Sequence, residues 1–211
     1  GRVNFSNYAD FRNRVQVMLD GDDISTSDLS VSVLDTIIGA GEVRVYRDLR
    51  SSTQDAALSL TTTNNLAALP SDFLELHGAL YVAHKAAATY APWEQVQNAI
   101  QLQTTNVISS NPIYYTFQSD NFLFFPIQQD GTTITGQYYK QFSDISGGLN
   151  ALFNRHPDIF LYASLAESAT FLAEATRGPI WEQKYVALVG AANEQERRRV
   201  TRGSKLQTRV A

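Results

Sequence analysis

The spacing of apolar residues divides the chain into three textures. From Ser6 to Arg50 the pattern is helical: Tyr8, Phe11, Val15, Met18 and Leu19 recur at intervals of three, four and seven and mark one face of a helix over 7–19. Asp20-Gly21-Asp22-Asp23 stops it. Ser25, Thr26, Ser27 and Asp28 then offer N-caps for a second helix over 27–49, with Leu34, Ile37, Ile38, Val45 and Leu49 on its apolar side and Gly39 and Gly41 as weak points within it. Between about Ser51 and Gly148 the texture becomes β. Strands are expected at 57–62, 76–82, 86–91, 112–117, 121–127 and 132–142, with a short helix opening at Pro92 and carrying Trp93, Val96 and Ile100 on one side. Ser119-Asp120 and Asp130-Gly131 are turn signals, and the second predicts a hairpin and so an antiparallel sheet. Helical spacing returns at His156-Pro157-Asp158, with Pro157 at the first helical position and Ile159, Leu161, Tyr162, Leu165, Ala166, Ala169 and Leu172 as apolar positions over 157–175. After the Arg177-Gly178-Pro179 break, Ile180, Trp181, Tyr185, Leu188 and Val189 begin a helix over 180–196; Trp181 and Tyr185 should pack on the 157–175 helix. The fold class is α+β: a helical bundle built from 1–50 and 149–196, an inserted antiparallel β-rich domain at 51–148, and an extended arm at 197–211.

Charge adds one feature that this pattern does not show. The last 18 residues hold Arg197, Arg198, Arg199, Arg202, Lys205 and Arg209 against Glu194 and Glu196, a balance of +4, whereas the chain as a whole carries −4. The rest of the chain is therefore at −8. Charge segregated in this way marks an interaction segment, and Leu206 and Val210 give it apolar anchors that a purely solubilising stretch does not need.

Candidate chemistry is sparse. The chain has no cysteine and three histidines, which leaves no thiolate metal site and no plausible zinc ligand set. His77 and His84 straddle a strand and a turn, and His156 stands before Pro157, where it serves the helix start. Gly39-Ala40-Gly41 follows no strand and lacks a third glycine, so it is a flaw in a helix and not a phosphate cradle. Glu167 and Glu174, seven apart on one helical face, suit a solvated or interface helix surface better than acid–base chemistry. Tyr114-Tyr115-Thr116-Phe117 and Phe122-Leu123-Phe124-Phe125 would suit a base-stacking platform, but Lys140 is the one basic residue from Ile113 to Phe142, and a sheet packed on both faces fits them better. No catalytic residue, cofactor or metal is expected. The opening GRVNFSNYADFRNR has no continuous apolar run, so no signal peptide is expected, and no membrane span is expected either.

Three stretches together resemble the head-to-tail adaptors, or connectors, of tailed bacteriophages, especially the short-tailed type. They are the helix end Tyr46-Arg47-Asp48-Leu49-Arg50, the segment Leu69-Pro70-Ser71-Asp72-Phe73-Leu74-Glu75-Leu76, and the run from Pro112-Ile113-Tyr114-Tyr115 through Gln137-Tyr138-Tyr139 to the helix opening at Pro157 and reaching Glu167-Ser168. Independently of that likeness, Pro70 fixes its own φ and turns Leu69 away from helix, while Ser71 and Asp72 can bond back to the chain, which makes the segment a hinge between layers. The Gly39/Gly41 pair and the lengthened basic segment depart from the family pattern.

The resemblance implies a non-enzymatic virion protein at the head–tail junction. It implies a homo-oligomeric ring of about twelve neighbouring subunits, docked on the portal protein, holding a channel through which DNA passes without sequence-specific binding, and presenting a platform for tail nozzle or tail fibre proteins. In this reading Arg197, Arg198, Arg199, Arg202, Lys205, Leu206, Arg209 and Val210 form the portal-docking arm, ordered only in the assembly. Arg44, Arg47, Arg50, Glu167 and Glu174 are the subunit-interface candidates. The competing reading is a nucleic-acid-binding protein that grips phosphates with the same basic segment.

Overall fold

The computed structural model describes residues 4–20, 29–103, 112–173 and 175–203. The chain divides into two compact units, residues 1–54 with 142–211, and residues 55–141.

The first unit is helical. It contains α1 (Tyr8–Asp20), α2 (Val31–Asp48), the short α4 (Ala151–Arg155), α5 (Pro157–Leu172) and α6 (Gly178–Gly203). Phe11, Val15 and Leu19 are buried on α1, as the spacing predicts. The chain enters α2 through Ser30, whose hydroxyl accepts from the Val33 amide at 3.3 Å. The helix therefore starts later than position 27, and the expected caps Ser25–Asp28 lie outside the described residues. Helix α5 opens with Pro157 at its start, and eight of its residues are buried, from Ile159 to Ser168, on more than one side. It is the central helix, packed most extensively against α2 and α6. An apolar surface this wide is what a helix covered from several directions requires.

Gly41 explains how α2 approaches so closely. A Cβ there would stand 2.7 Å from the Ser164 amide nitrogen and 3.0 Å from the Ala163 carbonyl carbon. Far from being a helix flaw, it is the point where the backbone of α5 crosses. Gly39, with nothing within 4 Å, has no such role. Gly178 repeats the device at the start of α6, where an added Cβ would lie 2.8 Å from the Ala169 Cβ.

The second unit is one eight-stranded sheet: β1 (Asp55–Thr61), β2 (Leu66–Ala68), β3 (Phe73–Leu76), β4 (Leu80–Val82), β5 (Ala86–Tyr90), β6 (Ile113–Gln118), β7 (Asn121–Phe125) and β8 (Thr133–Lys140), with α3 (Trp93–Leu102) between β5 and β6. The strand order is β1-β8-β4-β5-β6-β7-β2, with β3 also on β8. Leu58, Leu80, Val82, Phe122, Phe124 and Ile134 form the core of one face, and Val96 of α3 covers Leu123 on the other. The aromatic strands are thus packed on both faces. Trp93, at the first turn of α3, is 46% exposed and does not join Val96 and Ile100.

The sheet departs from the expectation in two respects. It is mixed, because β5 and β6 run parallel and α3 makes the crossover between them. Asp130-Gly131 is a turn, with Gly131 at φ +84°, but it closes no β7–β8 hairpin. Instead β8 pairs with β1, β3 and β4. The reason lies in side-chain bonds that no turn signal carries. Asn65 donates to the Phe124 carbonyl and accepts from the Gln128 amide, Thr62 Oγ1 donates to the Gln129 carbonyl, and Asp130 accepts from the Asn64 amide. The stretch after β7 is thereby clasped to the β1–β2 turn, which delivers β8 beside β1.

Leu69-Pro70-Ser71-Asp72 belongs to the same unit and joins β2 to β3, so it is not a hinge between layers. The Phe73 amide donates to the Pro70 carbonyl at 3.0 Å, and Asp72 accepts from the Tyr138 hydroxyl at 2.8 Å. Burial, with that hydrogen bond, pushes the Tyr138 phenol up to about 12.

Candidate assembly interface

The arginines of the last described helix do not extend from the fold as an arm. Helix α6 continues through Arg197, Arg198, Arg199 and Arg202 to Gly203, seven residues beyond the end that its apolar spacing predicts. The cause is a set of pairs one turn apart. Glu194 accepts from Arg197 at 2.8 Å and from Arg198 at 2.9 Å, and Glu196 accepts from Arg199. Acid placed N-terminal to base at these spacings supports a helix whose apolar stripe has ended. The two arginines hold the Glu194 carboxyl down at about 2.

The four arginines are not equivalent. Arg197 and Arg198 are 71% and 66% exposed. Glu196 is buried, and its Oε2 also accepts from the Ser52 amide at 3.1 Å, so the Arg199–Glu196 pair ties α6 to the turn after α2. Lys205, Leu206, Arg209 and Val210, and Glu174 of the interface set, lie outside the described residues.

Arg44 and Arg50 serve the interior of the helical unit. Arg44 forms a two-pronged pair with Glu182 (Nη1 to Oε2 2.7 Å), reaches Glu167 at 3.4 Å and Asp48 at 3.6 Å, and lies with its guanidinium 4.3 Å from the centre of the Tyr185 ring. Its hydrogen bond from Arg44 lowers the Glu182 carboxyl below the usual range. Tyr185 donates to Asp48 at 3.0 Å, and burial raises its phenol. One cation therefore joins α2, α5 and α6. Arg50 donates through Nη1 to the Tyr46 and Leu49 carbonyls and covers the C-terminal end of α2. Asn193 of α6 completes that end, accepting from the Arg50 amide and donating to the Asp48 carbonyl. Among the described interface candidates, Arg47 is the most outward, at 69% exposure.

The residues weighed for chemistry are occupied structurally. His77 lies 2.9 Å from Asp55 and stacks on Tyr139, with ring centres 4.5 Å apart. His84 sits in the β4–β5 turn at φ 56°. His156 precedes α5 without capping it through its side chain; its Nε2 is 3.3 Å from Ser51 Oγ, and burial lowers its affinity for a proton.

Glu42 passed unnoticed in the sequence. It is 6% exposed on α2 and accepts from the Ile145 amide at 3.0 Å, where the chain re-enters the helical unit. Burial, with Asp144 nearby, pushes its carboxyl up to about 7. The signal was available as an acidic residue one position after Gly41, on the buried stripe.

Among the described residues no helix is long and apolar enough to cross a membrane. The family model described as SU10 adaptor protein matches residues 6–209, nearly the whole chain. The chain belongs to that family, and it is a phage head-tail adaptor. No curated protein matches it.

Proposed function

We propose that this family member is a non-enzymatic structural protein that forms a ring at the head–tail junction of the virion, docks on the portal and carries tail proteins below. The family match over residues 6–209 is the observation that supports the reading. The ring, of about twelve copies as the resemblance implies, encloses a channel through which packaged DNA is passed or retained. A body with excess negative charge suits that role, because a wall of carboxylates repels phosphate and basic contacts are what make DNA binding tight.

Docking falls to the end of α6. Arg197 and Arg198 present planar guanidinium groups on a rigid helix, with Arg202 one turn further on. Each can form two-pronged bonds to carboxylates of a partner. A direct grip on nucleic acid is the weaker reading, since Glu194 already neutralises part of the charge that phosphate contacts would use. The test is charge reversal of Arg197, Arg198 and Arg202 to Glu. Melting should shift little, by the few tenths of a kcal/mol that exposed helix pairs contribute, while co-sedimentation with portal-bearing capsids should be lost. Lys at all three positions keeps the charge, and weakened docking would identify two-pronged carboxylate contacts. Reversed protein that docks with unaltered affinity refutes the assignment.

A further inference from the structure

The helical unit carries a basic hollow where the turn after α2 meets the α4–α5 junction and the last turns of α6. Its volume is about 150 Å³, and Ser51, Arg155, His156, Gln195, Glu196 and Arg199 border it. That is the space of about five waters at about 30 Å³ each, enough for a small charged group. Two guanidinium groups stand there against one carboxylate, a surplus of one positive charge. Glu196 is already engaged by Arg199 and by the Ser52 amide. Arg155 is not engaged in this way. It is exposed at the end of α4, and among the described residues it makes no hydrogen bond or ion pair. The neutral groups suit an anion as well. Ser51 is 5% exposed, with its Oγ 3.3 Å from His156 Nε2, and the Gln195 amide can donate to an oxygen. Burial, and then Arg155, lower the proton affinity of His156. Asp158 acts in the other direction, and its Oδ1 accepts from the Ile159 amide at 3.0 Å.

We propose that this hollow is a carboxylate site, and that in the assembly it receives an acidic side chain of a second copy, held by Arg155 in a two-pronged pair. A carboxylate matches the surplus charge one for one. A phosphate dianion would bring a further negative charge up to Glu196, which is why the smaller charge is favoured. The second copy follows from charge complementarity. Without its last 18 residues the chain stands at −8, so a neighbouring copy presents carboxylates over most of its sequence. This occupant rests on the ring reading, whereas the carboxylate site does not. A ring joins different patches of identical chains, and a basic hollow on an acidic body is one half of such a contact.

Acetate tests the site directly. Full-length protein, dilute enough to be unassembled, is titrated with acetate at constant ionic strength and near-neutral pH, and the ring resonances of its three histidines are followed by NMR. The His156 signal should shift and saturate, while His77 and His84, in the other unit, stay still. Arg155→Gln should weaken acetate binding at least tenfold, and Arg155→Lys should restore part of it. No saturable shift, or an undiminished one in Arg155→Gln, overturns the site. Inorganic phosphate binding more tightly than acetate overturns the assignment to a carboxylate. Native mass, measured with and without portal-bearing capsids, tests the occupant. Arg155→Glu, an exposed change that should leave melting unaltered, should raise the protein concentration needed for assembly at least tenfold. Arg155→Glu protein that binds no acetate yet assembles like wild type overturns the second-copy occupant and leaves the site standing. Wild-type chains that never assemble, free or on the portal, overturn the ring and the occupant together, and the acetate titration still decides the site.

Discussion

Replacing Gly41 by alanine tests whether the α2–α5 crossing is as close as the geometry requires. The new Cβ would meet the Ser164 nitrogen at 2.7 Å, the Ser164 Cα at 2.9 Å and the Ala163 carbonyl carbon at 3.0 Å. Ordinary van der Waals contact begins at 3.4 Å, a shortfall of 0.7 Å at the nearest atom. All three obstacles are backbone, so no side chain can swing aside and the helices must part. Leu34, Ile37, Ile38 and Val45 of α2, together with Ile159, Leu161 and Leu165 of α5, are buried in the unit that would be disturbed. Overpacking of this kind costs about 1–3 kcal/mol. Helix propensity returns about 1 kcal/mol on replacing glycine. The expected net loss is up to about 2 kcal/mol, and valine, which gains less propensity and adds two carbons, should cost more.

Gly39→Ala supplies the control. With open space at its Cβ it should stabilise by about 0.5–1 kcal/mol through propensity alone. The two substitutions differ by two positions in one helix, yet their effects should have opposite signs. The assay is urea unfolding followed by Trp181 fluorescence in a Trp93→Phe background, because Trp181 is buried in the helical unit while Trp93 is exposed in the other. At an m-value of about 2 kcal/mol per M, a loss of this size lowers the midpoint by up to roughly 1 M. A Gly41→Ala protein that unfolds at or above the wild-type midpoint refutes the reasoning.

Glu42 holds its proton more tightly when folded, so its favourable contribution is complete below the ordinary carboxyl pKa and is lost as pH rises through about 7. Glu42→Gln keeps an acceptor for the Ile145 amide, and should be more stable than wild type at pH 8, by up to about 3 kcal/mol, with little difference at pH 4; equal denaturant midpoints at pH 8 would count against a strained carboxylate. Arg44→Ala leaves Glu182, Glu167 and Asp48 without their shared cation and should cost about 2–4 kcal/mol, with Arg44→Lys restoring only part because lysine cannot reproduce the two-pronged pair; full rescue by lysine in thermal melts would show that geometry there is unimportant. Trp181→Ala removes a ring 7% exposed at the start of α6 and should cost about 3–5 kcal/mol, and a loss below about 1 kcal/mol in a urea titration would place the ring outside the packing.

The features legible in the sequence are those written with a local period. Phe11, Val15 and Leu19 declare the inner face of α1 because the helix repeats them on one side, and Pro157 marks the start of α5 because a missing amide is harmless there. Gly41 has the opposite character. Alone in its helix it looks like a defect, and its purpose depends on Ser164, 123 residues later. Asp130-Gly131 reported its own backbone correctly and the strand pairing incorrectly, since a turn residue says where the chain bends but Thr62 and Asn65 decide which strand lies alongside. The arginines of α6 show a third case. Counted as excess charge they suggest a free arm, whereas Glu194 and Glu196 at helical spacing carry the helix onward through them.

The same distinction separates the interior of this adaptor from its assembly surfaces. A packed core selects residues at many positions, so its trace is repeated and survives the loss of any one of them. A surface that meets another chain selects half of a match. In the helical unit Arg44 finds its partners on α5 and α6, and Arg50 finds its own at the end of α2, so both are engaged within the chain. What the fold turns outward is Arg197 and Arg198 on a rigid helix, their charge only partly answered by Glu194. Exposed like charges repel within one chain, and on the docking proposed above the carboxylates of a partner would offset that repulsion.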